Sequence, residues 1–219
     1  MKIMKKIYNF IPSYSIKPLI LCVIVNFSIY LGARLFYRNR IFHNLTSYYD
    51  NRIPVIPIFV VIYFGSYVFW IVNYILISNI SKDHCYRFLA ADLLGKLICG
   101  IIYIVFPTTN VRPDITASGI FADMLRFLYT IDPANNLFPS IHCLVSWYCF
   151  AGLRNCKAVP AWYRCFSLFM AIMICISTLT TKQHVIADVL GGVMLAELTW
   201  QLSLHFQLYK TLNFINQEV

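Results

Sequence analysis

Long apolar runs restrict this sequence more than any other feature. They recur along its 219 residues, each about 20 residues long and poor in charged side chains. A run of this length matches the hydrocarbon core of a bilayer, which only helices and closed barrels can span. No run alternates polar and apolar residues over about ten positions, as a barrel strand would. The sequence therefore predicts an all-α, polytopic membrane protein.

The apolar runs predict a bundle of six transmembrane helices. Their expected bounds are 17–37, 54–80, 88–107, 138–157, 160–180 and 183–206. Only 12% of the residues are charged, whereas an average soluble domain has about 25%, so the chain lacks the polar surface that a soluble fold needs. The six spans and short loops nearly fill 1–219, which predicts a single integral membrane domain.

Basic residues near the start of the chain predict the orientation. They are Lys2, Lys5, Lys6 and Lys17, and no acidic residue precedes Asp50. The positive-inside rule places this tail in the cytoplasm, and six spans return the other terminus to the same side. The first apolar run lacks a small-residue cleavage site, so it is expected to remain a span. The basic residues lie at loop ends without an aromatic stripe, so no nucleic-acid partner is expected.

The loop between the third and fourth spans predicts a short amphipathic helix over 117–130. Four apolar residues would share one face of it: Ile120, Met124, Phe127 and Leu128. A helix on the membrane surface beside a site would help to admit a lipid. A helix that only covers the end of the bundle explains the same pattern.

His184 and Asp188 are spaced to share one face of a helix. The carboxylate can accept the proton of one imidazole nitrogen, which fixes the tautomer and leaves the other nitrogen free as a nucleophile or base. The alternative is a histidine and an aspartate that only satisfy each other in a polar loop.

His142 stands at the predicted start of the fourth span, after Pro139 and Ser140. Proline suits the first turn of a helix, whose amides, with the Ser140 hydroxyl, would form an anion site. A histidine beside bound phosphate is placed to protonate a leaving oxygen. The alternative is an interfacial histidine on an amphipathic turn.

Two basic residues complete the predicted phosphate site. Arg112 offers a planar fork that matches phosphate oxygens, and Lys182 adds a charge two residues before His184. Each could equally be a solvated loop charge. Together with the histidines they indicate phosphoryl transfer that needs no metal or cofactor, at the outer face of the membrane. A metal site of His142, His184 and Asp188 is the rival hypothesis, although the eight cysteines show no metal-ligand spacing.

Asp92 and Lys96 lie four residues apart in the predicted third span. Charges in lipid are costly unless they are paired, so an intramembrane ion pair is the preferred interpretation. A proton or ion path that also involves Glu197 is the alternative. It would make the protein a non-enzymatic channel or transporter.

The sequence resembles the type-2 phosphatidic acid phosphatase superfamily, whose motifs are KxxxxxxRP, PSGH and SRxxxxxHxxxD. The matching positions are Arg112–Pro113, the string PSIH at 139–142, and Ser177 with His184 and Asp188. The resemblance implies a six-helix bundle, His184 as the nucleophile that forms a phosphohistidine, Asp188 as its orienting partner and His142 as the general acid. It also implies that Arg112 and Ser140 bind phosphate.

Two positions depart from the family pattern. Thr178 stands where the family has arginine, and no lysine precedes Arg112 by seven residues. Lys96 is sixteen residues away, so Lys182 is the candidate for the missing charge. The string Thr-Lys-Gln-His at 181–184 resembles the branch with inositol phosphorylceramide synthases and sphingomyelin synthases. That branch transfers the phospho-head-group to an alcohol, so a lipid phosphatase is the first expectation and a lipid phosphotransferase the second.

Overall fold

The computed structural model describes residues 10–38 and 40–216. The chain is predominantly helical, as predicted from its apolar runs. The tail lysines Lys2, Lys5 and Lys6, on which the orientation was predicted, lie outside the described residues.

Six helices run alternately between two ends of the bundle. They are α1 (Ser13–Arg34), α3 (Val60–Ser78), α4 (Lys82–Val105), α6 (Ile141–Ala151), α7 (Ala161–Thr180) and α8 (Ile186–His205). The shorter helices α2 (Tyr48–Arg52) and α5 (Ile120–Ile131) lie in the connections of one end, which we call the site end. The opposite end carries a 3₁₀ helix, Leu208–Asn216, and another 3₁₀ turn, Pro57–Phe59, leads into α3.

A pair of very short parallel strands joins two connections at the site end. Strand β1 (His43–Asn44) follows α1, and β2 (Thr108–Thr109) follows α4. His43 pairs with Thr108 and Asn44 with Thr109. This ladder fixes the first and third connections of the bundle beside each other.

Four helical segments of the described chain are long and apolar enough to cross a membrane. They are Ser13–Arg34, Pro57–Ser78, Lys82–Val105 and Ala161–Thr180. The span predicted over 138–157 is shortened to α6, which has 11 residues, or about 16 Å at 1.5 Å per residue. Helix α8 has 20 residues but contains Asp188 and Glu197, which lower its hydropathy. The structure thus supports four of the six predicted spans by length and composition.

Local sequence explains the shifted helix ends. Helix α4 begins at Lys82 instead of 88, because the Ser81 hydroxyl accepts a hydrogen bond from the His84 amide at 3.2 Å. Helix α8 begins at Ile186 instead of 183, because a tight turn precedes it in which Lys182 has φ 55°. These are the expected errors for boundaries predicted from hydropathy alone.

Helix α4 occupies the centre of the bundle and packs against α1 and α8. Phe88, Leu89 and Tyr103 on this helix are completely or almost completely buried. Large apolar side chains on the outer helices are instead exposed, which a monomeric soluble protein rarely shows over such an area. Examples on α1, α3, α7 and α8 are Ile24, Phe27, Val68, Ile71, Phe169, Ile172, Met194 and Leu198. The fold therefore buries its polar contacts inside and presents an apolar exterior.

The amphipathic helix predicted in the third connection is confirmed: it is α5, which covers 120–131 instead of 117–130. The predicted apolar face was only partly right. Leu128 is buried together with Ala122 and Leu125, because this face packs against α3. Ile120 and Phe127, which were expected on the same face, are exposed. The helix thus has one apolar face on the bundle and a second one that is open.

The Asp92 and Lys96 side chains form the predicted intramembrane ion pair at 2.8 Å, and both are buried. Glu197 was predicted as a possible third partner, and this prediction was wrong. Its carboxylate accepts hydrogen bonds from Arg154 and from the indole of Trp147. Arg154 follows α6, and its partner Glu197 lies in the second half of α8. Asp92, Lys96 and Glu197 therefore do not form a continuous path for protons or ions.

Candidate active site

A tight turn between α7 and α8 presents His184. The Thr178 carbonyl accepts hydrogen bonds from the amides of Gln183 and His184, at 3.0 and 3.1 Å. Lys182 closes the turn in the left-handed conformation, which is uncommon for a residue with a side chain. The turn fixes the backbone of His184 just before α8 begins.

His184 and Asp188 form the predicted pair. The distance from His184 Nδ1 to Asp188 Oδ2 is 3.2 Å, and both side chains are buried. The same carboxylate oxygen accepts the Val185 amide at 3.0 Å, so the pair is locked to the start of α8. The Nε2 atom of His184 takes no part in a hydrogen bond among the described residues. Asp188 thus orients the imidazole and leaves its other nitrogen free.

The charges around His184 shift its pKa. Burial lowers the pKa of His184, but the hydrogen bond to Asp188 and the charge of that carboxylate outweigh it. The pKa therefore lies above its ordinary value. His184 can act as a nucleophile only in its neutral form, in which Nε2 carries no proton.

The start of α6 brings His142 to the same place. Ser140 caps the helix, because its hydroxyl oxygen accepts the Cys143 amide at 3.3 Å. The Ser140 amide donates to the Asp188 carbonyl at 3.0 Å, which ties the second motif directly to the third. The imidazole rings of His142 and His184 are 6.2 Å apart between centroids. Ser140 is fully buried, so it is placed to shape the helix start beside the two histidines.

His142 is held by a network that sequence inspection missed. Its ring stacks on Tyr63 of α3 at 4.3 Å, and its Nδ1 lies 3.4 Å from the Tyr63 hydroxyl. That hydroxyl donates to Asp132 Oδ2 at 2.9 Å, while Tyr30 of α1 donates to Oδ1 at 2.7 Å. The Nε2 atom of His142 is buried without a partner. The network holds one nitrogen of His142 and leaves the other one free.

No short sequence signal points to Asp132 or Tyr63. Asp132 follows α5 in a connection, and Tyr63 lies within an apolar run where tyrosine is common. Residues 30, 63, 132 and 142 come together only in the tertiary structure. Gln183, which was also missed, could have been noticed because it lies directly beside His184.

Arg112 lies next to this network, and hydrogen bonds hold its guanidinium in position. Nη1 donates to the Asp132 carbonyl and Nη2 to Gln183 Oε1, both at 2.6 Å. The group also lies over the Tyr129 ring at 4.9 Å. Burial lowers the pKa of Arg112, and the charge of Asp132 opposes this shift. Arg112 has no carboxylate partner within ion-pair distance among the described residues, so its charge is available to an anion.

Lys182 and Thr178 differ from the expected pattern in their contacts. The Lys182 ammonium donates to the Asp50 carbonyl at 2.7 Å, away from His142. Burial lowers the pKa of Lys182, and the Asp50 carboxylate opposes this shift. Thr178 is fully buried and its hydroxyl donates to the Cys175 carbonyl. No cation therefore takes the place of the family arginine at position 178 itself.

Two cavities share the His184 side chain as a common wall. The first, which we call the aromatic cavity, has a volume of about 250 Å³. Its lining includes Tyr30, Phe64, Tyr67, Trp70, His142 and His184. The second, the polar cavity, has a volume of about 620 Å³. Its lining includes Asn44, Thr46, Asp50, Asn110, Lys182 and His184.

A metal site was the rival interpretation of His142, His184 and Asp188. In the described part of the chain, no group of three or more histidine, cysteine, aspartate or glutamate side chains is arranged to hold a metal ion. His184 Nδ1 is already engaged by Asp188. The geometry therefore fits an oriented imidazole better than a ligand cluster.

Fold and site together define a helical membrane protein with two histidines, a carboxylate and a guanidinium at one end of its bundle. The model of the PAP2 superfamily matches residues 63–212, more than two thirds of the chain, and the protein belongs to this superfamily. This confirms the superfamily resemblance, whereas the assignment to one branch stays a prediction. No curated protein and no solved structure is significantly similar to the chain. Members of the superfamily are phosphatases or phosphotransferases.

Proposed function

We propose that this protein is an integral membrane lipid phosphate phosphatase with six spans. It hydrolyses a phosphate ester or pyrophosphate of a lipid at the extracytoplasmic face, and both termini are cytoplasmic. The observation that carries the proposal is the His184–Asp188 hydrogen bond of 3.2 Å with the His142 ring 6.2 Å away. Membership of a superfamily of phosphatases and phosphotransferases supports it.

The first step forms a phosphohistidine. Asp188 accepts a hydrogen bond from Nδ1–H of the neutral His184, so the Nε2 lone pair attacks phosphorus and the bond to the ester oxygen breaks. That oxygen takes a proton from Nε2 of His142. Before the step, His142 has to be charged, with its Nδ1–H donating to Tyr63, which donates to Asp132. Afterwards His142 is neutral and the alcohol leaves.

The second step regenerates the enzyme. A water oxygen attacks phosphorus, its proton passes to Nε2 of His142, and the bond to His184 breaks. Phosphate leaves and both histidines return to their first state. Arg112 and Lys182 supply positive charge for the phosphate in both steps, and Ser140 presents the first turn of α6.

Transfer to an alcohol is the second candidate, because the same phosphohistidine can react with an alcohol in place of water. The polar cavity on the other side of His184 favours this candidate, since it offers room for a further polar group. A channel or transporter is not favoured, because Glu197 pairs with Arg154 instead of the Asp92–Lys96 pair.

The proposal gives the two histidines different roles, nucleophile for His184 and general acid for His142, and an assay with two substrates tests this difference. Purified parent, His184→Ala and His142→Ala are assayed with phosphatidic acid and with an aryl phosphate, whose leaving group needs little protonation. We expect no turnover of either substrate by His184→Ala. His142→Ala should lose roughly 10²–10⁴-fold on phosphatidic acid and much less on the aryl ester.

His205→Ala is the matched control, because His205 is exposed at the opposite end of α8 and should behave like the parent. Phosphate release by His184→Ala at the parental rate would remove the phosphohistidine proposal. Equal losses on both substrates in His142→Ala would remove the general-acid role.

A further inference from the structure

The aromatic cavity is lined by both histidines, but among the described residues no lysine or arginine side chain lies in its wall. Lys182 lines the polar cavity, and its ammonium donates to the Asp50 carbonyl. Arg112 does not belong to the lining of either cavity. A phosphate that His184 attacks and His142 protonates therefore needs a further hydrogen-bond donor for its remaining oxygens.

Gln183 offers such a donor in the wall of the aromatic cavity. Its Oε1 accepts a hydrogen bond from Arg112 Nη2 at 2.6 Å. Because a guanidinium can only donate, this contact fixes which atom of the amide is the oxygen. The Nε2 atom is buried without a partner among the described residues, and Gln183 is only 1% exposed. A buried N–H group without an acceptor is costly, which indicates that this amide serves a ligand.

Four residues of this wall have a buried side-chain atom without a partner in the described chain. The atom is Oδ1 in Asn135 and Asn136, and it is Nε2 in His142 and Gln183. The two amide oxygens accept hydrogen bonds, so they do not suit phosphate oxygens. In the proposed reaction, His142 Nε2 gives its proton to the leaving oxygen. Gln183 Nε2 is then the group that suits a nonbridging oxygen of the phosphoryl group.

The Gln183 amide is held in place through both its backbone and its side chain. The backbone amides of Gln183 and His184 donate to the same Thr178 carbonyl. At the side chain, Arg112 holds Oε1 and is itself held by the Asp132 carbonyl at 2.6 Å. A charged donor on Oε1 also polarises the amide, which makes its N–H groups stronger donors. The amide therefore needs little reorganisation when charge develops on the phosphoryl oxygens.

We propose that Gln183 is a catalytic residue, which donates a hydrogen bond from Nε2 to a nonbridging oxygen of the phosphoryl group during its transfer. This inference rests on the proposed function. The amide keeps both of its hydrogens while the bond from His184 to phosphorus forms and the bond to the leaving oxygen breaks. It makes the same contact when water or an alcohol breaks the bond to His184. The charge of Arg112 acts on the phosphate through this amide.

Gln183→Met tests the donor, because methionine has a similar length and carries no N–H group. We expect kcat to fall by roughly 10²–10³-fold, as for the loss of one oxyanion donor, with little change in KM. The loss should be equal on phosphatidic acid and on the aryl phosphate, because both have the same nonbridging oxygens. His142→Ala should instead lose selectively on phosphatidic acid. Gln201→Met, at an exposed position of α8, is the matched control and should behave like the parent.

Vanadate measures the same contact without turnover. It adopts the five-coordinate shape of a phosphoryl group in transfer, so its affinity reports on the groups that stabilise the transition state. Thermal unfolding in detergent at increasing vanadate concentration gives this affinity for each variant. We expect Gln183→Met to bind vanadate roughly 10²-fold more weakly than the parent, whereas Gln201→Met should bind it equally well.

A double-mutant cycle separates direct donation from a role in which Gln183 only positions Arg112. In the second case, Gln183→Met would have no further effect once Arg112→Met is present. We expect Gln183→Met to weaken vanadate binding in the Arg112→Met background by a further factor of roughly ten. An unchanged vanadate affinity in that background would overturn the proposal of a direct contact.

Gln183→Asn provides a second variant if methionine is not tolerated at this buried position. It keeps the amide but is one methylene shorter, so it cannot reach Arg112 and the phosphate together, and kcat should fall by roughly tenfold or more. Parental kcat and vanadate affinity in a folded Gln183 variant would overturn the proposal. Parental turnover in His184→Ala would instead remove the proposed function, and the vanadate affinity of the Gln183 variants would still test the donor.

Discussion

Asp132 acts on His142 through the hydroxyl of a tyrosine and does not contact the histidine itself. Its carboxylate accepts hydrogen bonds from two tyrosines, and one of these hydroxyls reaches His142 Nδ1. Burial of the ring and the charge of His184 disfavour a protonated His142, and the negative charge of Asp132 opposes them. The general acid of the proposed reaction therefore depends on this relay.

Tyr63→Phe removes the relay and keeps the aromatic ring. We expect its turnover of phosphatidic acid to fall by roughly one to two orders of magnitude, within the range for general acid catalysis. Turnover of an aryl phosphate should change little. Asp132→Asn should show the same selective loss.

Tyr67→Phe is the matched control for this pair of variants. Tyr67 lines the same cavity and its ring contacts His142, but its hydroxyl makes no hydrogen bond to the described residues. If all three variants lose activity equally on both substrates, the network has only a structural role.

Asp188 should also set the acid limb of the pH–rate profile. His184 reacts as the neutral ring, and its pKa is raised, so kcat/KM should rise with pH through a value above about 6.5. Asp188→Asn removes the main cause of the raised pKa, which should move this limb to lower pH. The plateau should fall by up to roughly 10⁴-fold, because the amide no longer fixes the tautomer. An unshifted limb in Asp188→Asn would contradict the pairing.

The contact between His184 and Asp188 could be predicted from their spacing of four residues, although His184 lies in the turn before α8 and not on the helix itself. Arg112 could be assigned to a loop near them. Tyr63 and Asp132 could not be predicted, since their role depends on how α3 and the end of α5 pack around His142. Glu197 was assigned the wrong partner for the same reason, because sequence does not give the rotation of α8.

At the scale of the elements, the close approach of α8 to α6 holds the site together. A Cβ atom on Gly192 would lie 2.5 Å from the Ser140 carbonyl oxygen and 3.1 Å from Cys143 Cβ. Backbone atoms cannot move aside as a flexible side chain can. The start of α6, which carries His142, therefore lies where only glycine on α8 permits it.

Gly192→Ala should push the two helices apart. We expect a loss of stability of about 1–3 kcal/mol from overpacking and a larger relative loss of turnover, because the His142–His184 distance would change. Thermal unfolding in detergent and phosphate release measure the two effects. Gly65→Ala is the control, since a Cβ there meets nothing within 4 Å, and it should be neutral or slightly stabilising. If Gly192→Ala releases phosphate at the parental rate, the close approach of α6 and α8 is not required for activity.

The helical elements themselves could largely be predicted from hydropathy, but α6 could not. Its predicted span reached residue 157, yet the helix ends at Ala151, and residues 152–160 lead to α7. The Gly152 carbonyl accepts a hydrogen bond from His84 Nε2 of α4 at 2.7 Å, a contact that spans 68 residues. A glycine directly after the last helical residue is a local signal for this end, which the average hydropathy of the run does not show.

At the scale of the whole molecule, the described helices place the site at one end of the bundle. The opposite end is closed by contacts such as the Tyr14 hydroxyl donating to the Ser78 carbonyl and Arg87 lying over the Tyr209 ring. Both ends of the described chain lie there, so the termini and the site should face opposite sides of a membrane.

Epitope tags in sealed vesicles of known orientation check this arrangement. Tags at the two termini should be digested together, and a tag inserted between 114 and 118, at the site end, should be digested only from the other side. The inserted tag lies in an exposed connection, and phosphate release by the tagged protein shows that it still folds. Digestion of one terminus together with the inserted tag would mean an odd number of crossings.

The aromatic cavity has a consequence for how the rate depends on substrate. Its lining includes Phe27 of α1 and Tyr67 of α3, which are 58% and 46% exposed on the apolar exterior of the bundle. A lipid that enters between these helices arrives by diffusion within the leaflet, not from bulk water. Encounter is then two-dimensional, so the mole fraction of substrate among the surrounding lipids governs saturation. Adding inert lipid at constant total substrate should slow turnover by surface dilution, although the bulk concentration is unchanged.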